Sequence, residues 1–240
     1  MNLLITLCAR GGSKGIPGKN TRLLAGRPVI DYSIAIAKVF ANQSHGSVAL
    51  STDSSEIKEV ASKSGLITTY TRPDVLASDI AGKVETINAL LEFEEEILGE
   101  KYEYILDLDV TSPLRTLQDL TTSFEIFKQN KNALTLFSVN KSSRNPYFNM
   151  VEQKQNGFYN LVKKREVTTL TRQSAPKVYD LNASFYFYRR NFFNTKGQGV
   201  ITDSSLIYEM PHLCFDLDHP IDFEFMEYLL VNEKLDFDLV

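Results

Sequence analysis

Between residues 8 and 20 the chain reads Cys8-Ala9-Arg10-Gly11-Gly12-Ser13-Lys14-Gly15-Ile16-Pro17-Gly18-Lys19-Asn20. Four glycines let this backbone approach a ligand closely and turn several N–H groups toward it. Arg10, Lys14 and Lys19 add three cations within ten residues, in a chain whose net charge is −4. A cationic, glycine-rich loop on an acidic protein suits a polyanionic small molecule, and a triphosphate is the first candidate. Two better-known phosphate loops do not fit. The kinase-type loop fails because Gly18-Lys19 is followed by Asn20 and because Ser13 stands five residues before Gly18. The dinucleotide fingerprint fails because Gly-x-Gly-x-x-Gly does not occur in the loop.

Two aspartate pairs offer a second kind of chemistry. Asp107 and Asp109 lie two apart, so on an extended strand both point to one side. Asp216 and Asp218 repeat that spacing after an apolar run that reads as a late strand. Such carboxylates suit Mg2+, which takes one or two of them plus phosphate oxygens. Their competing role is structural, with Asp216 and Asp218 serving as a helix N-cap and its acidic neighbour. His45, His212 and His219 are too scattered for a metal cluster, and no arrangement points to a nucleophilic triad. A phosphate cradle with a metal-ligand pair is equipment for phosphoryl or nucleotidyl transfer, which depends on positioning and charge neutralisation.

These groups need a scaffold that brings separate loops to one edge. Strand patterns at 2–8, 46–51, 67–71, 103–108 and 133–139 alternate with helical patterns at 28–42, 54–64, 80–98 and 116–130. That order predicts an α/β fold with a largely parallel sheet covered on both faces. Its ligands belong at the carboxyl ends of the strands, where the 9–20 loop and Asp107–Arg115 emerge. Asp53 or Ser54 should cap the second helix, with a place near the nucleotide as the other role open to Asp53. Residues 140–172 are polar and hairpin-like, an excursion from the sheet suited to association. Alternation returns at 183–188, and a last helix is expected at 219–232. The length of 240 residues suits one domain, 1–240.

Bulk properties narrow the partners. Hydrophobic content of 43% and charged content of 23% are ordinary for a soluble globular protein. The pI near 5.5 and the lack of a basic stripe argue against nucleic acid. No apolar run reaches the roughly 18 residues of a membrane span, and no secretory leader is evident. Cys8 and Cys214 read as buried thiols, which fits a reducing, cytoplasmic setting.

The loop resembles the signature of the acylneuraminate cytidylyltransferases, enzymes that load nine-carbon acidic sugars onto CMP. The likeness continues through Ser51-Thr52-Asp53, Arg72-Pro73 with Leu76-Ala77-Ser78-Asp79, and Thr111-Ser112-Pro113-Leu114-Arg115. It extends to Arg172-Gln173 with Pro176, Asn182-Ala183-Ser184 and Asp216-x-Asp218. The resemblance implies a three-layer, Rossmann-like nucleotidyltransferase fold with a dimerisation arm at 140–172, hence a homodimer. It implies that Arg10, Lys14, Lys19 and Asn20 hold CTP with the backbone of Ala9, Gly11, Gly12 and Ser13, and that Arg72 lies near the cytosine. It further implies that Asp216 and Asp218 bind Mg2+, with Asp218 also helping to deprotonate the attacking hydroxyl. The sugar would meet Asp109, Ser112, Arg115, Arg172, Gln173, Asp180, Asn182 and Ser184.

Three departures from the sialic acid members stand out. Asp109 replaces a glutamine, Lys83 replaces a serine near the base, and Asp180 stands where an arginine is usual. Leu106–Asp109, Arg144–Asn149 and Thr171–Lys177 are most similar to the legionaminic acid branch, whose sugar carries a second amide. Asp109 or Asp180 is then expected to accept an amide N–H, since a carboxylate only accepts. The rival enzyme reading is a cytidylyltransferase for sialic acid or another keto-acid sugar. The rivals from other classes are a non-catalytic nucleotide-binding module and an interaction protein built around the 140–172 arm.

Overall fold

The structure is a computed structural model that describes residues 2–12, 15–78, 80–165, 171–195, 197 and 199–240. Apolar β-rich runs form β1 (Leu3–Cys8), β4 (Ser47–Ser51), β5 (Tyr104–Leu108), β6 (Thr135–Lys141), β9 (Tyr179–Arg189) and β10 (Ser205–Glu209), in a six-stranded sheet ordered β10-β6-β9-β5-β1-β4. Pairing is parallel except along β9, which runs antiparallel to both β5 and β6. Two short strands, β2 (Leu23–Leu24) and β3 (Arg27–Pro28), make a separate turn before α1 (Val29–Ser44).

Side chains alternate across the strands as a two-residue period requires. Leu3, Ile5 and Leu7 join the core of one face with α1, α2 (Ser55–Lys63), α5 (Leu117–Gln129) and α6 (Pro220–Val231). Leu4 and Ile105 join the other core, against α4 (Lys83–Leu98). The result is a mostly parallel sheet between helical layers, the expected arrangement.

Several expectations are corrected. The stretch 67–71 forms no strand. Thr68 Oγ1 donates to the Leu50 carbonyl and accepts from the Tyr70 N–H, so side-chain bonds replace a ladder beside β4. The late strand before Asp216 is also absent. β10, which the sequence reading missed, pairs with β6, and residues 211–219 follow as irregular chain anchored by single bonds such as Leu217 N–H to Thr111 O at 2.9 Å. The helix expected from 80 begins at Lys83, preceded by a one-turn α3 (Asp74–Ala77). Ser54, not Asp53, caps α2 through the Ile57 N–H.

After Lys141 the chain leaves the sheet, within the excursion expected at 140–172, of which residues 166–170 lie outside the described ones. There β7 (Val151–Gln153) and β8 (Tyr159–Leu161) form an isolated hairpin with exposed Val151, Phe158 and Tyr159.

Candidate active site

A cleft of about 410 Å3 opens at the carboxyl ends of β1, β4 and β5. Among the described residues it is lined by the cations Arg10, Lys19, Arg72 and Lys83 and the carboxylates Asp109 and Asp218. The first loop supplies Arg10, Gly15, Lys19 and Asn20. Gly15 packs so tightly that a Cβ there would stand 2.3 Å from the Asp218 carbonyl oxygen. This contact brings the phosphate-type loop against the distant aspartate pair. Lys19 Nζ donates to the Leu217 carbonyl and lies 3.7 Å from Asp218 Oδ1.

Asn20 Nδ2 donates to the Arg10 carbonyl at 2.9 Å. Its buried Oδ1 has no hydrogen-bond partner among the described residues, leaving an acceptor for a ligand donor. Arg72 is buried at the end of β4, with Nε 3.0 Å from Ser51 Oγ and Nη2 2.7 Å from the Ser51 carbonyl. Arg10 Nη1 reaches the Ala77 carbonyl at 3.4 Å and so links the loop to α3.

The backbone cradle is narrower than the sequence implies. The Ala9 N–H donates to the Ser51 carbonyl at 3.0 Å, and the Gly11 N–H to Asp53 Oδ1 at 2.9 Å, so both are taken within the protein. Gly12 is exposed, and a Cβ there would meet nothing within 4 Å. Ser13, Lys14 and the Arg172 side chain lie outside the described residues.

The floor of the cleft is ionic. Lys83 Nζ sits 3.0 Å from Asp107 Oδ2 and 2.9 Å from Asp109 Oδ2. Burial alone would lower the Lys83 pKa, but Asp107 and Asp109 outweigh it and hold it well above the usual lysine value. Burial likewise works against the Asp109 carboxylate, yet Lys83 and two bonds from Thr111 bring its pKa down to about 2. Cys8, at the edge of this cluster, has its thiol pushed up by burial and then by Asp107. Lys83, expected beside the nucleotide base, does line the cleft, with its ammonium paired to two carboxylates of the protein.

Four residues expected to meet the sugar lie beneath the cleft. Arg115 is 1% exposed and donates to the carbonyls of Asp109, Ser112 and Ser184 and to Ser33 Oγ. Burial lowers its pKa to about 10. Ser112 Oγ donates to the Asn182 carbonyl at 2.9 Å, and Ser184 Oγ to the Ser112 carbonyl at 3.0 Å. Asn182 accepts from Ser138 Oγ at 2.6 Å. These bonds satisfy one another and lock β9 to the loop after β5. Asp180 is exposed on β9, outside the cleft lining, and Gln173 lines a second cavity with Lys141, Arg144 and Lys177.

Asp216 is half-buried and Asp218 exposed. Burial and the adjacent Asp218 carboxylate both raise the Asp216 pKa above 3.8. Two carboxylates that repel in this way fit a divalent cation. No group of three or more His, Cys, Asp or Glu side chains is placed to hold a metal among the described residues. A metal here would take further oxygens from a ligand, as Mg2+ does.

The sequence reading missed Cys8, Thr86 and Thr111 in the lining. Thr86 and Thr111 carried a signal, lying one helical turn after Lys83 and two residues after Asp109. Cys8 carried none.

The cytidylyltransferase family model matches residues 4–237. The chain is 37% identical to post-translational flagellin modification protein B of Campylobacter coli, over 97% of both chains. It is also 37% identical, with the same coverage, to CMP-N,N'-diacetyllegionaminic acid synthase of Campylobacter jejuni. The fold is similar to that of CMP:2-keto-3-deoxy-manno-octonic acid synthetase complexed with CTP, at a TM-score of 0.69 and 16% identity, covering 97% of this chain and 100% of that one.

Proposed function

This chain belongs to the cytidylyltransferase family, and on that premise we propose that it joins CTP to a nine-carbon 2-keto acid sugar, legionaminic acid. The products are the CMP-sugar and pyrophosphate. The observation that carries this reading is the meeting of Arg10, Lys19, Asn20 and Arg72 with Asp218 in one cleft. The triphosphate lies along the 9–20 loop, with Lys14 completing the cationic set. The anomeric hydroxyl of the sugar attacks the α-phosphorus in line, forming the new P–O bond as the α–β bridge breaks. Arg10 and Lys19 neutralise the charge that develops, and Asp218 takes the hydroxyl proton. One such preorganised cation is worth on the order of 3 kcal/mol, roughly a hundredfold in rate. Asp216 and Asp218 would hold Mg2+, which when bound shields phosphate charge.

Residues 1–240 act as one nucleotidyltransferase domain, and the enzyme works as a homodimer in the cytoplasm. The exposed apolar side chains of the β7–β8 hairpin support the dimer. No helix among the described residues is long and apolar enough to cross a membrane.

The test is to incubate the protein with CTP, Mg2+ and a panel of legionaminic, sialic and other keto-acid sugars, following pyrophosphate release and product mass. Formation of CMP-legionaminic acid in preference to CMP-sialic acid is expected. Preference for sialic acid would overturn the sugar assignment, and lack of pyrophosphate release with every sugar would overturn the reaction.

A further inference from the structure

Lys83 occupies a costly position. In the first turn of α4 it stands at the positive end of the helix dipole. Its side chain is only partly shielded from solvent, so the ammonium there bears part of the several kcal/mol that full burial would cost. The compensation lies within the protein. Nζ touches Asp107 and Asp109 and lies 4.5 Å from the centre of the Tyr186 ring. Asp107 is itself fully buried, with Oδ1 accepting from Thr6 Oγ1 at 2.9 Å. One ammonium between two carboxylates leaves this cluster with a net charge of −1 and gives Lys83 little attraction for a phosphate.

Stability alone is a weak explanation, because an ion pair whose lysine is partly exposed contributes little. The geometry serves orientation instead. Thr111 N–H and Oγ1 hold Asp109 Oδ1 at 2.9 and 2.8 Å, while Lys83 holds Oδ2. Three donors from two elements therefore fix the carboxylate plane of a residue that lines the cleft. The Thr111 carbonyl accepts from the Leu217 N–H, which keeps Asp109 beside the segment carrying Asp216 and Asp218.

We propose that Lys83 is a positioning residue that, through its ion pair, aims the Asp109 carboxylate at the sugar acceptor and makes no contact on which CTP binding depends. The proposal rests on the cytidylyltransferase reading and extends it to the acceptor. An oriented carboxylate accepts from N–H and O–H donors, so the group it selects is an amide or hydroxyl of the sugar acid.

The test uses the full-length double variant Lys83→Met/Asp107→Asn, which keeps the cluster at −1 while releasing Asp109. Its CTP affinity by calorimetry should stay within about threefold of wild type. Its kcat/KM for N,N'-diacetyllegionaminic acid should fall roughly a hundredfold, the scale of a misplaced reacting group. Adding Asp109→Asn should cost little more, since the two changes remove one effect. Lys83→Arg should recover to within about tenfold of wild type, with any loss in the sugar KM rather than in CTP affinity.

A parallel loss of CTP affinity, or an unchanged sugar kcat/KM, overturns the proposal. If the double variant does not fold, Lys83→Arg decides: a shift in the sugar KM alone supports the proposal, and equal shifts for both substrates overturn it. Wild-type protein that forms no CMP-sugar overturns the functional reading as well. Wild-type turnover with an unaffected variant overturns only the role of Lys83.

Discussion

Gly15 and Arg115 are both motif residues, yet they answer to different forces. At Gly15 the Asp218 carbonyl oxygen fills the space of a side chain. Gly15→Ala must push the loop away from the aspartate pair, with a cost in packing of about 1–3 kcal/mol. We expect turnover to fall at least tenfold while the thermal unfolding transition remains cooperative; full activity would show that the close approach is dispensable. Arg115 is a binding residue by motif and an internal strut by position. Arg115→Ala leaves several carbonyl acceptors unmet in the interior, each costing about 1–3 kcal/mol. Denaturant unfolding should register this change. A stable Arg115→Ala protein with only a raised sugar KM would restore the residue to the ligand.

Between elements, the segment that carries Asp216 is tied to α5 by a titratable clasp. His212 Nε2 lies 2.9 Å from Asp119 Oδ2, Tyr208 donates to Asp119 Oδ1 at 3.0 Å, and Phe237 stacks on the imidazole at 3.8 Å. Burial alone would lower the His212 pKa, but the bond to Asp119 outweighs it and holds the pKa above 6.5. Burial would raise the Asp119 pKa, while His212 and Thr116 hold it below 3.8. A histidine with a raised folded pKa stabilises below its unfolded value and loses that contribution as pH rises through the folded value. The carboxylate contributes above its own unfolded value and loses that contribution as pH falls through its lowered folded pKa. The clasp is therefore complete between about pH 4 and 6.5. Stability should decline above that window by about 1.5–3 kcal/mol, the worth of a hydrogen bond to a charged group. Unfolding curves of wild type and His212→Gln should differ in this pH range; identical slopes would remove the clasp from the account.

For the molecule as a whole, a net charge of −4 surrounds a cleft in which cations predominate among the described residues. Such contrast draws an anion to one place. CTP with Mg2+ at a hundred times Kd should stabilise the fold by about 2.7 kcal/mol. For a domain of this size that is an upward Tm shift of roughly 5–10 °C. On the metal-binding role proposed for Asp216 and Asp218, chelation should shrink the shift, because carboxylates without their cation repel a triphosphate. A thermal scan without any CTP-dependent rise would count against triphosphate binding in the cleft.

The sequence by itself determined the α/β alternation, the cationic first loop and both aspartate pairs, because periodicity and local charge depend on neighbours along the chain. It also placed the excursion after β6, where helical periodicity stops. Tertiary structure decided which polar residues line the cleft and which are buried beneath it. Lys83 is paired with Asp107 and Asp109 at the cleft, and Arg115 is turned inward by Ser184, 69 residues away. It also decided that Gly15, not Gly12, makes the close approach, and that β10 rather than the chain before Asp216 completes the sheet. A buried charge points toward its counter-charge, and a strand forms only where an edge offers it a ladder. Both conditions are set by residues far apart in sequence, so only the folded chain satisfies them.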